Sequence, residues 1–536
     1  MARPPLPRFI SDVVEDRQAR ATLLAGAVAL FAAGLDPKVW GPSLTTVQAA
    51  IRARPELESY VLVSAVGAAI LLLIGGAVGD LRRARPLVVG GLSVLVVTGT
   101  LGLVITSGPG FVAARLVGAA ASSFVIPASL ACVALAYHGV ARATAIGFAY
   151  AAYGGAQALM PMLLTLIPGE RWPGFVVAAL AAVFALAIAR NRVPELERPG
   201  RAERPYVLGT ALWASSIVAI SAGVLWLGSG WDNPVRLAIV GLGIALLAAF
   251  FAWERRRRAE HPAALKVDRR PVTIALFAGV VIAIAQSVPM VLLPTYFSIV
   301  ARYGPVFGLI AVAPLFLGLI AAGPVAGYLL SRSSPRVLVS SGLMVVGLGN
   351  LFVAVLAGPG TGYGLFVLPL LFIGVGFVVA TTVRTAIIFA SVPRGLPATA
   401  AALNEASIAV GNRMGIVLVT AIVSLVSMAA LEGSLTGVAP QAAETARQQF
   451  SDLLIAVGTP AFTSLAGAVQ ASDAASYVDA YVTGVRTALA LGGGAAIFGG
   501  LVVWFGLGRR DPLVARGVDP MASVYEHRDE RVTAEP

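Results

Sequence analysis

Fourteen apolar stretches, each long enough to cross a bilayer, constrain this chain more than any motif in it. They lie at about 21–44, 59–81, 86–107, 110–137, 143–167, 173–190, 206–228, 234–253, 271–300, 304–330, 336–357, 364–391, 398–429 and 480–507. Roughly 20 mostly apolar residues in helical form cross the roughly 30 Å hydrocarbon core. Lipid offers no water to the backbone, so each stretch must satisfy its own hydrogen bonds and is expected to be a helix. Composition agrees, with 58% hydrophobic and 12% charged residues and a mean hydropathy of +0.85. The expected fold class is an all-α membrane protein of 14 transmembrane helices, here spans 1 to 14.

The net charge of +12 invites a nucleic-acid reading that its distribution refuses. Most of the 39 Lys and Arg fall at the termini and in the loops on the N-terminal side. Arg82, Arg83 and Arg85 follow span 2, Arg190, Arg192 and Arg198 follow span 6, and Arg255 to Arg258 follow span 8. The opposite loops hold few, among them Arg52, Arg171, Arg302 and Arg447. Basic residues stay cytoplasmic, so both termini are expected inside a multi-pass protein of the cytoplasmic membrane. Residues 1–20 lack the cleavage pattern of a signal peptide. The lone Cys132 excludes an internal disulfide, and His138, His261 and His527 are too scattered for a metal site.

Two polar linkers, 191–205 and 254–270, bracket spans 7 and 8. The expected organisation is a cytoplasmic N-terminus (1–20), a six-helix bundle (21–190), a two-helix insert with its linkers (191–270), a second six-helix bundle (271–507) and a cytoplasmic tail (508–536). An internal repeat supports the pairing of bundles. Gly76-Ala-Val-Gly79-Asp80 ends span 2, and Gly323-Pro-Val-Ala-Gly327 occupies the matching place in the second bundle. Paired halves with a substrate site between them are a common transporter plan. The outer segment 430–479 is read as a packed loop, with 440–456 able to form a short interfacial helix.

Several local patterns resemble the major facilitator superfamily, specifically its 14-helix drug/proton antiporter branch. Gly34-Leu35-Asp36 followed by Pro42-Ser-Leu-Thr is similar to the span 1 signature. Gly76 to Arg85 is similar to the loop 2–3 signature, with Ala84 at a usual glycine position. Arg115 with Pro127-Ala-Ser-Leu130 resembles the span 4 signature, and Asn404-Glu405 that of span 13. Span 5 departs from the antiporter pattern: Met160-Pro161 is followed by Leu164 and Thr165, while Gly154 and Gly155 come earlier. The resemblance implies two bundles that alternate access to a central cavity.

Charges inside a bilayer are costly and so need a partner or a task. At about 1.5 Å per residue, Asp36 and Arg115 reach a similar depth in the outer half, and Arg384 and Glu405 match in depth nearer the cytoplasm. Asp36, Glu405 and Arg115 are therefore candidates for proton coupling; static ion pairs that fix helices are the alternative. Arg384, Gln286, Gln157 and Asn404 are candidate cavity contacts. The resemblance makes Asp80 with Arg82, Arg83 and Arg85 a gate latch at the inner surface. Lys38 and Arg486 are expected to snorkel outward, Trp40 and Tyr296 to anchor at the interface, and Arg413 has no evident partner. Within the helices cations outnumber Asp36 and Glu405, which shades the substrate toward neutral amphipathic or anionic compounds.

Gly492-Gly-Gly494 has no trailing Lys-Ser/Thr, and no nucleotide-binding motif or catalytic triad is present, so no enzyme is expected. The expected function is a proton-coupled exporter, monomeric, without a cofactor, driven by the proton gradient. A uniporter or importer of a metabolite or lipid-like substrate is the alternative within transport. A membrane scaffold or sensor is the alternative outside it.

Overall fold

A computed structural model describes residues 16–51, 84–105, 107–137, 139–166, 172–193, 234–260, 269–303, 305–392, 397–435, 440–455 and 471–507, with residues 13, 75–76, 212, 215–216 and 219 between them. Spans 2 and 7, apart from those few positions, and the gate residues Asp80, Arg82 and Arg83 lie outside the described residues. So do most of the linkers and the tail.

The described residues are helical almost throughout. In chain order the helices are α1 (Arg17–Ile51), α2 (Ala84–Val104), α3 (Gly108–Ala136), α4 (Gly139–Leu166), α5 (Trp172–Arg192) and α6 (Pro234–Glu260). There follow α7 (Arg269–Thr295), the short α8 (Pro305–Ile310), α9 (Ala313–Arg332), α10 (Pro335–Leu356), α11 (Gly364–Ser391), α12 (Pro397–Ser434), α13 (Pro440–Ile455) and α14 (Ala471–Gly506). Their starts follow ordinary helix chemistry. Proline opens α10 and α12, where its missing N–H costs nothing. Ser334 caps α10 by accepting a hydrogen bond from Val337 N (3.4 Å). Arg190 and Arg192 close α5, where cations complement the helix dipole.

Among the described residues ten helices are long and apolar enough to cross a membrane. The expected fourteen is thus reached only in part. The apolar part of α6, Leu237–Phe250, is shorter. α4 is long but carries Thr144, Tyr150, Tyr153 and Gln157, which dilute its hydropathy. Those polar residues matter below.

α1 packs on α3, α4 and α5, and α2 packs on α3 and α5. Their core holds Ala25, Ala29, Leu92, Val125 and Ala185. α7 packs on α12, α14 and α11, α10 on α11 and α14, and α9 on α11. Lipid is as apolar as leucine, so these contacts depend on close fit rather than on escape from water. α6 packs along none of the other described helices.

The two bundles meet along α4 and α9, and again where α3 and α4 touch α12 and α11. At the first contact the backbones nearly touch: a Cβ on Gly147 would strike the carbonyl oxygen of Gly323, and one on Gly327 would strike Thr144. The repeat segment Gly323–Gly327 is therefore a packing seam between bundles. At the second contact Leu130, Ala134, Ile146 and Tyr150 of the first bundle join the core of the second. This seal lies toward the face that holds the N-terminal segment, where the Tyr137 hydroxyl at the end of α3 donates to Val13 O (3.1 Å). Gly76 of span 2 lies against Ala398 and Ala402 at the start of α12. Arg85 donates to Arg190 O (2.5 Å), tying the start of α2 to the end of α5.

α7 loosens toward its end. Pro289 and Pro294 lie within its last turns, and Tyr296–Val300 continue as a single π-helical turn. Proline removes the N–H that an α-helical turn needs, and π-turns are one relief. Tyr296, expected at the interface, is instead fully buried. Its hydroxyl donates to Gly358 O (2.8 Å) and accepts from Gly358 N (3.0 Å), and its ring packs on Phe297 and Phe366. Arg486 donates Nε to Ala357 O at the C-terminal end of α10, which satisfies a helix-end carbonyl. The segment near 440–456 does form a helix, α13, with Ala443, Ala446 and Phe450 buried and Phe450 stacked on Tyr477.

Candidate functional site

Two polar constellations are buried in these helices. The first joins α1 to α3. Asp36 and Arg115 are each 6% exposed, and Arg115 donates to Asp36 Oδ2 at 2.9 Å. Gly118, one turn beyond Arg115, leaves the room this needs: a Cβ there would lie 3.0 Å from Asp36 Oδ1 and 3.3 Å from Thr98 Oγ1. The neighbours so identified all belong to the first bundle, so the pair sits within it rather than at its boundary. The equal depths of the two residues meant contact because both also point inward.

The second constellation spans the boundary. Tyr150, about 16 Å along α4 from Gly139 at ~1.5 Å per residue, donates its hydroxyl to Glu405 Oε1 on α12 at 2.6 Å. Asn404 turns its amide NH2 to the Tyr150 oxygen (2.5 Å) and to Glu405 Oε1 (3.0 Å). The side-chain Oδ1 of Asn404 accepts from Thr385 on α11 (2.9 Å), and Thr385 Oγ1 also lies 3.4 Å from the Tyr150 hydroxyl. All four side chains are buried. One carboxylate, one phenol, one amide and one hydroxyl thus form a closed network across three helices and both bundles.

The expected ion pair between Arg384 and Glu405 is not formed. Arg384, 0% exposed, donates Nη1 to Ala275 O on α7 (3.3 Å) and to Ser407 Oγ (3.0 Å), and Nη2 to Asn404 O (3.3 Å). Its Nε has no hydrogen-bond partner. The reason is angular. Ser407 Oγ and the backbone oxygen of Asn404 face Arg384, whereas Glu405, two residues and so about 200° from Ser407, is turned to Tyr150 on α4. Gly279 on α7 makes the seat possible, since a Cβ there would collide with Arg384 Nη1 and Ser407 Oγ.

The remaining candidates are dispersed. Gln157 on α4 and Gln286 on α7 are half-buried and hydrogen-bond to neither constellation. Asn350 ties α10 to α7 by donating to Ala285 O (3.1 Å). Arg85 is placed as described, and the side chains of Lys38, Trp40 and Arg413 lie outside the described residues. Among the described residues no group of three or more His, Cys, Asp and Glu could hold a metal. Tyr150 was missed in the sequence. Its signal was depth: a phenol far from either membrane surface needs a buried partner.

Residues 26–416 match the family profile of the Major Facilitator Superfamily. The chain is 30% identical over 364 residues to the puromycin resistance protein pur8 of Streptomyces alboniger, covering 66% of this chain and 71% of that protein. It is 31% identical over 236 residues to a tetracycline resistance determinant of Streptomyces rimosus, covering 42% of this chain and 65% of that one. A multidrug resistance protein B homolog of Mycobacterium tuberculosis is 29% identical over 188 residues, 34% of each chain. Solved structures share the fold at low identity. The human organic anion transporter MFSD10 (TETRAN) superposes with a TM-score of 0.58 at 14% identity, over 91% of this chain and all of that one. A double-tryptophan mutant of XylE gives 0.58 at 12% identity, over 93% and 98%.

Proposed function

Because this chain belongs to the Major Facilitator Superfamily, we propose that it is a secondary active transporter that exports small amphipathic compounds in exchange for protons, by alternating access. The observation that carries this reading is Glu405, a carboxylate buried where the two bundles meet. A group whose charge changes there acts on the contact that must open and close. Differential affinity of a proton for two conformations is sufficient to shift their balance.

Asp36 is the second proposed proton carrier. Its ion pair with Arg115 joins α1 to α3, and separation of the two helices would take that cation away from it. Arg384 and Asn404 are proposed to border the substrate path, with Gln157 and Gln286 as weaker contacts. The resistance proteins among the relatives support a drug-like cargo. The basic loops on the side of both termini support a cytoplasmic position for them. The seal on the N-terminal face then belongs to a conformation closed toward the cytoplasm. The 14-helix branch, the monomeric state and the latch role of Asp80 with Arg82, Arg83 and Arg85 are part of the same proposal. The gradient supplies the energy, and no cofactor is invoked.

Gradient-independent movement of a metabolite or lipid-like substrate is the second reading, favoured by the span 5 departure from the antiporter pattern. Reconstitution into liposomes separates the possibilities. Under an imposed pH gradient the exporter moves substrate against its concentration and dissipates the gradient. A uniporter gives flux without the gradient, and a scaffold gives none.

A further inference from the structure

We infer that Tyr150 is the residue that couples the charge of Glu405 to the seal between the bundles, so that protonation of Glu405 releases the N-terminal face. This rests on the alternating-access reading above and deepens it. Three observations carry it. The Tyr150–Glu405 bond joins α4 of one bundle to α12 of the other at 2.6 Å. Tyr150 and its neighbours Ile146, Leu130 and Ala134 are the first-bundle residues that enter the core of the second. Asn404 and Thr385 orient both partners, with Asn404 bonded to the phenol oxygen and to the carboxylate together.

The sign follows from hydrogen-bond chemistry. An ionised carboxylate accepts a hydroxyl proton about twice as strongly as a neutral carboxyl does. With Glu405 ionised, Tyr150 and Asn404 both donate to it and the bundles are held together. A proton on Glu405 turns the bond into a neutral one, and α4 can leave α12. The titratable and charged groups around Glu405 come from two elements: Tyr150 on α4, which donates to it, and Arg384 on α11, whose guanidinium is bonded to Ala275, Ser407 and Asn404 instead. Among the described residues α3, α7 and α14 direct no ionisable side chain at it. The release is therefore governed by one carboxylate, one phenol and one guanidinium.

Cys132 is the single cysteine of the chain, so Cys132→Ala gives a clean background for a reporter. Ala134→Cys sits in the seal, 1% exposed, and reacts with a membrane-impermeant maleimide only when that face opens. Ala185→Cys, fully buried inside the first bundle, reports unfolding. In liposomes, labelling at 134, divided at each pH by the rate of a free thiol to remove the change in thiolate fraction, should quicken as the pH falls, on the order of tenfold, the change expected when a charge-assisted bond becomes neutral. Tyr150→Phe should label fast at every pH, and Glu405→Gln should do the same, with position 185 silent in both. A Tyr150→Phe protein that keeps the parent pH dependence overturns the inference. So does an unchanged profile in Glu405→Gln, which carries the test alone should Tyr150→Phe expose position 185. Flux is a separate readout: pH-dependent labelling without gradient-driven transport would remove the exporter reading and leave the latch standing.

Discussion

Tyr150 and Glu405 lie 255 positions apart in sequence, yet share one proton at 2.6 Å across the boundary between the bundles. No other hydrogen bond described between an α4 side chain and the second bundle reaches a carboxylate. The bond puts an ionisable group at the contact that conformational change must break, and several measurable consequences extend from it and from its surroundings.

Asp36→Asn should leave expression and folding intact, because an amide still accepts from Arg115, while gradient-driven transport is lost. Flux with and without a pH gradient measures this. Arg115→Leu should be worse for the fold, since the buried Asp36 would lose its cation, a loss of about 3–5 kcal/mol. The double variant Asp36→Leu with Arg115→Leu should recover most of the thermal stability in detergent and none of the coupling. Recovery of coupled transport in the double variant would show the pair to be structural.

Gly279→Ala should displace the Arg384 guanidinium, because the new methyl occupies its seat beside Ser407. An overpacked buried site costs about 1–3 kcal/mol. The melting temperature should fall and transport with it. Arg384→Lys should not substitute, since an ammonium cannot reach Ala275 O, Ser407 Oγ and Asn404 O as a planar fork does.

Gly147→Ala should separate α4 from α9 by pushing on the Gly323 carbonyl. The bundles would still fold, each having its own core, but their mutual fit would be lost. Transport should drop severely while far-ultraviolet circular dichroism stays the same. Normal flux in this variant would show that the seam is not needed for function.

Tyr137 lies just beyond the end of α3, and burial pushes its hydroxyl up to about 12. An unfolded chain would ionise it near 10. The folded state therefore holds its proton longer, and the stability this brings is complete below pH 10 and is lost as pH rises through 12. Tyr137→Phe should flatten that part of the profile. Melting curves of the purified protein between pH 9 and 12 compare the two.

The helices were legible because hydrophobic length is a one-dimensional property, and so was the Asp36–Arg115 pair, whose members match in depth and both face inward. Depth alone failed for Arg384 and Glu405. They match in height, but helical rotation turns Glu405 away to α4, and a sequence carries no azimuth until the neighbouring helices are placed. Tyr296 was misread for a related reason: an aromatic near a span end is an anchor only if it faces lipid, and this one, at the start of the π-turn, is buried against Gly358 and Phe366. The expected count of fourteen is matched by ten among the described residues: spans 2 and 7 lie almost wholly outside them, the apolar part of α6 is short, and on α4 polar side chains placed for contact lower the hydropathy of the helix that carries them.

Because α6 packs along none of the other described helices, Pro234–Glu260 takes no part in the seam between the bundles. The polypeptide could be severed there and its two pieces translated separately. They should find each other in the membrane through the bare-backbone seam of Gly147 and Gly323 and the phenol–carboxylate bond beside it, and reassemble a working whole.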